Sequence, residues 1–457
     1  MDSLNLDVLI IGWGKAGKSI ASKLIAAGKK VALVERSTTM YGGTCINIAC
    51  VPTKKLITLA ERRSEHDDPA QYFMKSVNER DAFISKLNAV NYSMLDGKAL
   101  LIDGEARFTG AHEVRITPTA GKSAPVGDAH EEITLHAPTI IINTGTVPAT
   151  LKVPGADLPG VYNSTTIQHA NPFPQRLAII GGGMIGLEFA TMFSGFGSNV
   201  TVIDPGERLL RMFAPDIASE AHANLEAQGV KFALNSKVQE ITQSAEGSLQ
   251  VHTDQGTIDA DAVLVAVGRT PATAGLGLDA AGIAVTEHGF IQVDEHLRTN
   301  VAGVYAVGDV NGGPQFTYIS FDDHRILADE LLSEGKRATT DRVAVPHTIF
   351  LNPPLASVGM SEAEARAAGR TVAVKQAKIA DIAVMPRPKI VGNPAGLAKF
   401  VLDADTDEIL GAVLYCVDSQ ELINTVALAM RLGAPAAMLR DGIWTHPAST
   451  EVFNGVL

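Results

Sequence analysis

The 457-residue chain has only three cysteines, too few for a structural disulfide framework, which fits a reducing compartment. Aromatic residues make up 5% of it, and no basic patch interleaves with them. A formal net charge of −12 argues against nonspecific nucleic-acid binding. No uninterrupted apolar run approaches the length of a membrane span, so no membrane role is expected. A basic leader is also lacking ahead of the first apolar run, Val8–Ile11, which argues against secretion and predicts a cytoplasmic protein. What remains is an ordinary globular composition, 46% hydrophobic and 19% charged. The length suggests roughly two to four domains.

Two of the three cysteines lie five positions apart in the segment Gly42-Gly43-Thr44-Cys45-Ile46-Asn47-Ile48-Ala49-Cys50-Val51-Pro52-Thr53-Lys54. On a straight helix that spacing separates the Cα atoms by roughly 8 to 9 Å, beyond comfortable disulfide reach. Cys45 is therefore expected at or just before a helix start, or the first turn is distorted. Either arrangement turns a thiol toward the positive end of a helix and favours its thiolate. Two cysteines buried in a core helix are the plain alternative. The flanking glycines and Pro52 argue against it, and a close pair in a reducing compartment points to redox catalysis.

One arrangement occurs twice. The run Asp7–Ile11 ends in Gly12-Trp13-Gly14-Lys15-Ala16-Gly17, followed by a helix-like stretch to Ala27 and the run Val31–Val34 ending in Glu35. Leu177–Ile180 leads likewise into Gly181-Gly182-Gly183-Met184-Ile185-Gly186, a helix-like stretch, and Val200–Ile203 ending in Asp204. In both copies the acid stands 18 positions after the third glycine. This is a dinucleotide fingerprint: one glycine makes the tight turn, one lets a pyrophosphate approach, and one allows helix and strand to pack closely. The helix start faces the phosphates and the carboxylate bonds ribose hydroxyls. Asp204 accepts from a 2′-hydroxyl and repels a 2′-phosphate, favouring NADH over NADPH, although Arg208 nearby keeps NADPH possible.

Further strand ends run into glycine at Thr144-Gly145, at Gly268-Arg269-Thr270-Pro271 and at Gly308-Asp309, where ligands sit in doubly wound sheets. Beyond about residue 340, β-like runs (Leu397–Leu402, Ile409–Cys416) alternate with helical stretches at Ser361–Ala368 and Ser419–Leu432, suggesting an α+β domain with an antiparallel sheet. Thr117–His130 is a polar, turn-rich insertion without a motif. Asp322, Asp323 and His324 read as a solvated helix face rather than a metal site, because adjacent helical residues point apart. Cys416 reads as a core residue, and no metal site is expected.

Together these motifs resemble, from end to end, the flavin-dependent pyridine-nucleotide disulfide oxidoreductases, which include glutathione reductase, dihydrolipoyl dehydrogenase and mercuric reductase. Gly104-Glu105-Ala106 and His446-Pro447 with Glu451 complete the match. The resemblance implies an α/β fold of two Rossmann-like dinucleotide-binding domains, for FAD and NAD, plus a C-terminal α+β dimerisation domain. The boundaries would be 1–150 and 271–338 for FAD, 151–270 for NAD and 339–457 for the interface. Gly12, Gly14, Gly17, Glu35, Gly43, Thr44, Lys54, Ala106, Thr144, Gly145, Gly308, Asp309 and Thr317 would hold FAD. Gly181, Gly183, Gly186, Glu188, Asp204 and Gly268 would hold the nicotinamide dinucleotide, with Lys54 and Glu188 as an ion pair. Cys45 would attack substrate and Cys50 would contact the flavin. His446, oriented by Glu451, would handle the proton of the attacking thiol, supplied in this family by the partner subunit of a homodimer.

Within the family, glutathione reductases usually carry an arginine where Asp204 stands, and Ser22 replaces the arginine that helps hold glutathione. Mercuric and large thioredoxin reductases use an extra C-terminal thiol or selenol pair, and this chain ends at Val456-Leu457. Ala49 before Cys50, the segment Gln315–Arg325, Trp444 (which could narrow a lipoyl channel) and Cys416-Val417-Asp418-Ser419 depart from dihydrolipoyl dehydrogenase. They are similar to the bacterial reactive-chlorine-resistance flavoprotein reductases, a group linked to reduction of copper(II) and hypothiocyanous acid. The resemblance thus implies an NADH-dependent reductase of a small-molecule oxidant in oxidative-stress defence. Dihydrolipoyl dehydrogenase is the enzymatic alternative, and a redox sensor without turnover is the alternative of another class.

Overall fold

The computed structural model describes residues 6–119, 132–245 and 247–457; the expected insertion at Thr117–His130 falls, from residue 120 on, outside the described residues. The first strand, Val8–Ile11, is buried along its whole length and pairs in parallel with Val31–Glu35 on one side and Thr139–Ile142 on the other. Such a continuous apolar run suits a parallel sheet covered on both faces. Val304–Ala306 adds a parallel strand beyond Thr139–Ile142, and Leu100–Gly110 adds another beyond Val31–Glu35. Glu113–Pro118 and Ile133–His136 then extend the sheet antiparallel, to seven strands. The helix Lys15–Ala26 packs by Ala16, Ile20, Ala21 and Leu24, spaced to share one face.

A second parallel sheet is built on the same plan around Arg176–Ile180, flanked by Asn199–Ile203 and Ala262–Val265, with Lys231–Ala233 and Val161–Asn163 at its edges. Its helix, Met184–Phe196, stops at Gly197, whose φ of +102° few other residues adopt. The C-terminal part is an antiparallel sheet in the order His347–Ile349, Leu355–Gly359, Ile409–Tyr415, Leu397–Asp403, Val372–Lys378. Helix Ser419–Arg431 buries Leu422, Ile423, Val426 and Ala427 in the same core as Phe400 and Phe453. Helix Glu362–Ala367 is opened by a reciprocal cap, with Ser361 N donating to Glu364 Oε2 (2.7 Å) and Glu364 N to Ser361 Oγ (3.2 Å).

The chain forms two units: Met1–Leu56 with Met74–Ala149 and Gly268–Asp341, and Ile57–Phe73 with Thr150–Val267 and Arg342–Leu457. The first holds the first glycine fingerprint and the cysteine pair; the second holds the second fingerprint and His446. The observed class is α/β with two Rossmann-like sheets and an antiparallel C-terminal domain, as the motifs predict.

Candidate active site

In the first unit the glycines of the fingerprint are required by contact. Gly12 has φ +97°, and a Cβ there would lie 2.5 Å from the carbonyl oxygen of Asn143. A Cβ on Gly17 would meet Asn143 Oδ1 at 2.8 Å, and one on Gly43 would meet the Cα of Gly14 at 2.7 Å. Two backbone segments therefore approach at the start of helix Lys15–Ala26 with no side chain between them. Asn143, which the sequence reading passed over, ties the turn together: Oδ1 accepts from Gly17 N (2.8 Å) and Nδ2 donates to Val307 O (2.8 Å). Its sequence signal is a polar residue directly after the apolar run Ile140–Ile142.

Glu35 accepts from Trp13 N at 3.0 Å and from Ser37 N at 3.2 Å. Burial pushes its carboxyl up, and those N–H donors oppose the shift. Beyond the carboxyl ends of Thr139–Ile142 and Val304–Ala306, Arg269 Nε donates to Thr146 Oγ1 (2.7 Å), which donates to Asp309 Oδ2 (3.1 Å). Burial raises the Asp309 carboxyl, with Thr146 and Arg269 opposing. Thr144 Oγ1 is buried with no partner among the described residues. A glycine-walled helix start for a diphosphate, a carboxylate for ribose, and an unpaired hydroxyl beside Gly145 fit the FAD that the sequence implies. Ala106 sits buried in strand Leu100–Gly110, and Gly308 N donates to Asp323 Oδ2 (2.6 Å).

The cysteines occupy two helices rather than one. Thr44–Asn47 forms a single turn, Ile48 N and Ala49 N both return to Thr44 O (3.0 and 2.9 Å), and Cys50 opens the helix Cys50–Ala60, which carries Lys54. This break brings residues five apart together. The two thiols share a side-chain hydrogen bond, with Cys50 Sγ 3.5 Å from Thr317 Oγ1 at the start of helix Thr317–Leu332. Cys45 lies in the first turn of Thr44–Asn47 and Cys50 opens the next helix, which is the distorted helix start that the five-residue spacing predicts. The hydrogen bond with Cys50, then burial, push the Cys45 thiol well up, opposed by Thr317 and the Lys18 ammonium.

In the second unit Gly181 has φ +112°, and a Cβ would meet Ala266 O at 2.5 Å; around Gly183 a Cβ would meet nothing within 4 Å. Asp204, closing strand Asn199–Ile203, accepts from Gly182 N and Gly206 N, both at 2.8 Å, one on each oxygen. Arg208 turns away to donate to Phe213 O (2.9 Å) and Arg211 O (3.3 Å). It is Arg211, unmarked in the sequence, whose guanidinium lies 3.8 Å from Asp204. The open turn and the poised carboxylate fit a nicotinamide dinucleotide. Glu188, buried in helix Met184–Phe196 with Gly186, accepts from Phe350 N at 3.0 Å. Gly268, φ +123°, belongs to the first unit, its carbonyl accepting from Ala149 N.

His446, with a 68% exposed side chain, meets Glu451 through Nδ1 and Oε1 at 2.8 Å, leaving the other ring nitrogen outward. Ala448 N donates to Glu451 Oε2 (2.9 Å). That N–H, then the histidine, hold the Glu451 carboxyl below its ordinary range. Trp444 packs on Phe453, ring centroids 5.5 Å apart, and donates to Leu439 O at 3.0 Å.

The reading of Asp322–His324 as a solvated face is corrected for two of its three residues. Asp323 and His324 are buried, Asp323 as the acceptor of Gly308 N and His324 against Phe321, while Asp322 faces Arg325 at 3.5 Å. Among the described residues no cluster of metal-ligating side chains occurs, and no helix is long and apolar enough to cross a membrane. Cys416 is a core residue, its thiol pushed up by burial.

Residues 6–323 match the family described as pyridine nucleotide-disulphide oxidoreductase, and 345–456 match its dimerisation domain. The chain is 42% identical over 449 residues to the probable pyridine nucleotide-disulfide oxidoreductase RclA of Escherichia coli K12, covering 98% of this chain and 97% of the relative. It is 31% identical to the mitochondrial dihydrolipoyl dehydrogenase of Pisum sativum, covering 98% and 90%. A solved Cu(II) complex of the HOCl-induced flavoprotein disulfide reductase RclA from E. coli superposes with a TM-score of 0.91 at 41% identity, covering 98% of this chain and 99% of that one.

Proposed function

The chain belongs to the pyridine nucleotide-disulphide oxidoreductases, and from that premise we propose that it passes electrons from NADH through Cys45 and Cys50 to a small oxidant such as hypothiocyanous acid. The membership makes it a flavoprotein that uses a pyridine nucleotide. The observation that carries the proposal is the paired thiols at the break between Thr44–Asn47 and Cys50–Ala60, hydrogen-bonded to each other beside Thr317. FAD when bound would accept hydride from the nicotinamide and hand the electron pair to the disulfide.

We assign residues 1–150 and 271–338 to FAD, 151–270 to NAD and 339–457 to the subunit interface. Gly12, Gly14, Gly17, Glu35 and Gly43 would hold the ADP end of FAD, with Thr144, Gly145, Gly308 and Asp309 along its chain. Asp204 would hold the ribose of NADH.

In the reduced pair the Cys45 thiolate attacks the sulfur of hypothiocyanous acid. The new S–S bond forms as the S–O bond breaks, and the leaving hydroxide takes the proton of Cys50 through His446 to become water. The Cys50 thiolate then attacks Cys45 Sγ, releasing thiocyanate and closing the disulfide. Overall NADH and hypothiocyanous acid give NAD⁺, thiocyanate and water. Glu451 keeps His446 oriented, and the histidine reaches the thiols of the partner subunit in a homodimer. The Cu(II) bound in the relative's structure brings in copper(II) as a second acceptor. A cytoplasmic role in defence against reactive chlorine products accords with the HOCl induction of that relative.

The test is anaerobic NADH oxidation with hypothiocyanous acid, copper(II) and lipoamide at matched concentrations. Fast turnover with hypothiocyanous acid and little with lipoamide supports the proposal. The reverse would make the chain a dihydrolipoyl dehydrogenase, and no turnover with any acceptor would leave the sensor.

A further inference from the structure

Asp418 stands directly before helix Ser419–Arg431 with φ +63°, a left-handed backbone that aspartate visits more readily than most residues. Glu421 N and Leu422 N donate to its carbonyl at 2.9 and 3.1 Å, so it occupies the cap position of the helix. An aspartate there ordinarily caps with its carboxylate as well, accepting from an N–H of the first turn. The Asp418 side chain makes no such bond. It turns away instead, and Oδ2 accepts from Ser449 Oγ at 2.8 Å across 31 positions of sequence. Arg387 Nε lies 3.5 Å from the same oxygen, but both partners are 40% exposed, so that ion pair counts for little. The backbone around Asp418 is fixed, because Ser419 is wholly buried and its Oγ donates to Pro354 O (2.6 Å), which also accepts from Cys416 N (3.2 Å).

Ser449 opens the single turn Ser449–Glu451. From His446 to Thr450 it is the one buried residue, and His446 and Pro447 are exposed. Its hydroxyl is therefore the inner anchor of that segment. Two residues on, Glu451 divides its oxygens between His446 Nδ1 (2.8 Å) and Ala448 N (2.9 Å). Val452 and Phe453, which follow, are buried in the core of the C-terminal sheet. The turn that carries Glu451 is thus held by apolar packing after it and by the Asp418–Ser449 bond at its start.

We propose that Asp418 is a positioning residue for the reaction: through Ser449 it fixes the turn from which Glu451 orients His446. The inference rests on His446 being the group that handles the proton of the attacking thiol. A left-handed residue and a forgone helix cap are both tolerated in exchange for this one contact. Without the acceptor, the start of the turn swings outward, Glu451 moves with it, and the imidazole loses its set orientation while the helix start is left as it is.

The experiment compares D418G, D418N and S449A as flavin-loaded holoenzymes, reading flavin reduction by NADH in stopped flow separately from steady-state turnover of hypothiocyanous acid. Glycine adopts the left-handed backbone freely, so D418G removes the acceptor without straining the chain. Its kcat should fall by roughly 10- to 100-fold, the order of loss expected when a reacting group is displaced by about 1 Å. KM, flavin content and the rate of flavin reduction should stay at the wild-type level. D418N keeps an oxygen that accepts from Ser449 and should recover most of the loss. S449A should match D418G, and the double variant should be no slower than either single one. A D418G with wild-type kcat overturns the proposal, as does an equal loss in flavin reduction, a D418N as slow as D418G, or losses that multiply in the double variant. If D418G does not fold, S449A decides by the same two rates. H446Q separates the two levels. Full turnover in H446Q would sink His446 as the proton-handling group, whereas an impaired H446Q beside an unimpaired D418G sinks only the role of Asp418.

Discussion

At Asp204 both carboxylate oxygens already accept a backbone N–H, and the group is buried apart from the edge that faces Arg211. A ribose hydroxyl adds one more donor there, whereas a 2′-phosphate sets like charges side by side. Like-charge juxtaposition costs several kcal/mol, so kcat/KM for NADH should exceed that for NADPH by about tenfold or more. R211A should remove residual NADPH turnover and spare NADH in steady-state assays with each nucleotide. Equal use of both nucleotides by the wild type would refute this reading of Asp204. At His446 the ring is fixed on one side by Glu451 and exposed on the other, as a proton-transfer group requires. H446Q should lower kcat by roughly 10²- to 10⁴-fold with flavin content unchanged. A smaller loss would remove the histidine from the proton path.

Elements are held by features of different kinds. The meeting of the Gly12–Gly17 turn with Gly43 depends on the absence of side chains. Gly43 has φ +81° and its Cβ would fall 2.7 Å from Gly14 Cα. G43A should fold but purify with little flavin, since the left-handed residue costs about 1–2 kcal/mol and the clash closes the groove. Flavin absorbance per chain measures it, and full occupancy would contradict the assignment of this groove to FAD. The C-terminal sheet depends instead on charge. Asp403, at the turn out of Leu397–Asp403, accepts from Arg370 Nε (2.7 Å), and from Asp405 N and Thr406 N, each at 3.0 Å. Arg370, then Thr406 and Asp405, hold its carboxyl down to about 2. A depressed carboxyl contributes stability that is present above the ordinary value of about 3.9 and lost as pH falls through about 2. The Tm gap between wild type and D403N should therefore be widest above pH 4 and close toward pH 2. A gap independent of pH would show that Asp403 acts only through its hydrogen-bond geometry.

At the scale of the whole molecule the proposed chemistry needs two chains, because the thiols and the histidine would come from different subunits. The dimerisation domain over residues 345–456 indicates a homodimer, and its apolar side chains Leu432, Met438 and Ile443 stand exposed on the single chain. C45S and H446Q chains, each inactive alone, should regain activity when co-expressed, since a mixed dimer keeps one intact site. Purification through two affinity tags and an NADH-oxidation assay measure it. An inactive mixed dimer would mean that Cys45 and His446 serve the same subunit.

Much of this was legible in the sequence. The two fingerprints, their terminal acids and the Cys45–Cys50 spacing are local patterns, set by backbone sterics within a few residues, and so they determine the doubly wound class and point to the nucleotides. His446 with Glu451 is likewise a short-range pair. Other features depend on residues far apart in the chain. Asn143 works only because the strand ending at Ile142 lies beside the glycine turn, and Arg211 rather than Arg208 reaches Asp204 because Arg208 is taken up by two carbonyls. Asp323 and His324 looked like a solvated face, since a polar run does not reveal that Gly308 N needs a buried acceptor. The sequence by itself determined the family and the doubly wound class, because both rest on local motifs. The charge environment of Cys45 was decided only by tertiary structure, because Cys50, Thr317 and Lys18 reach it from three separate elements and electrostatics depends on distance in space.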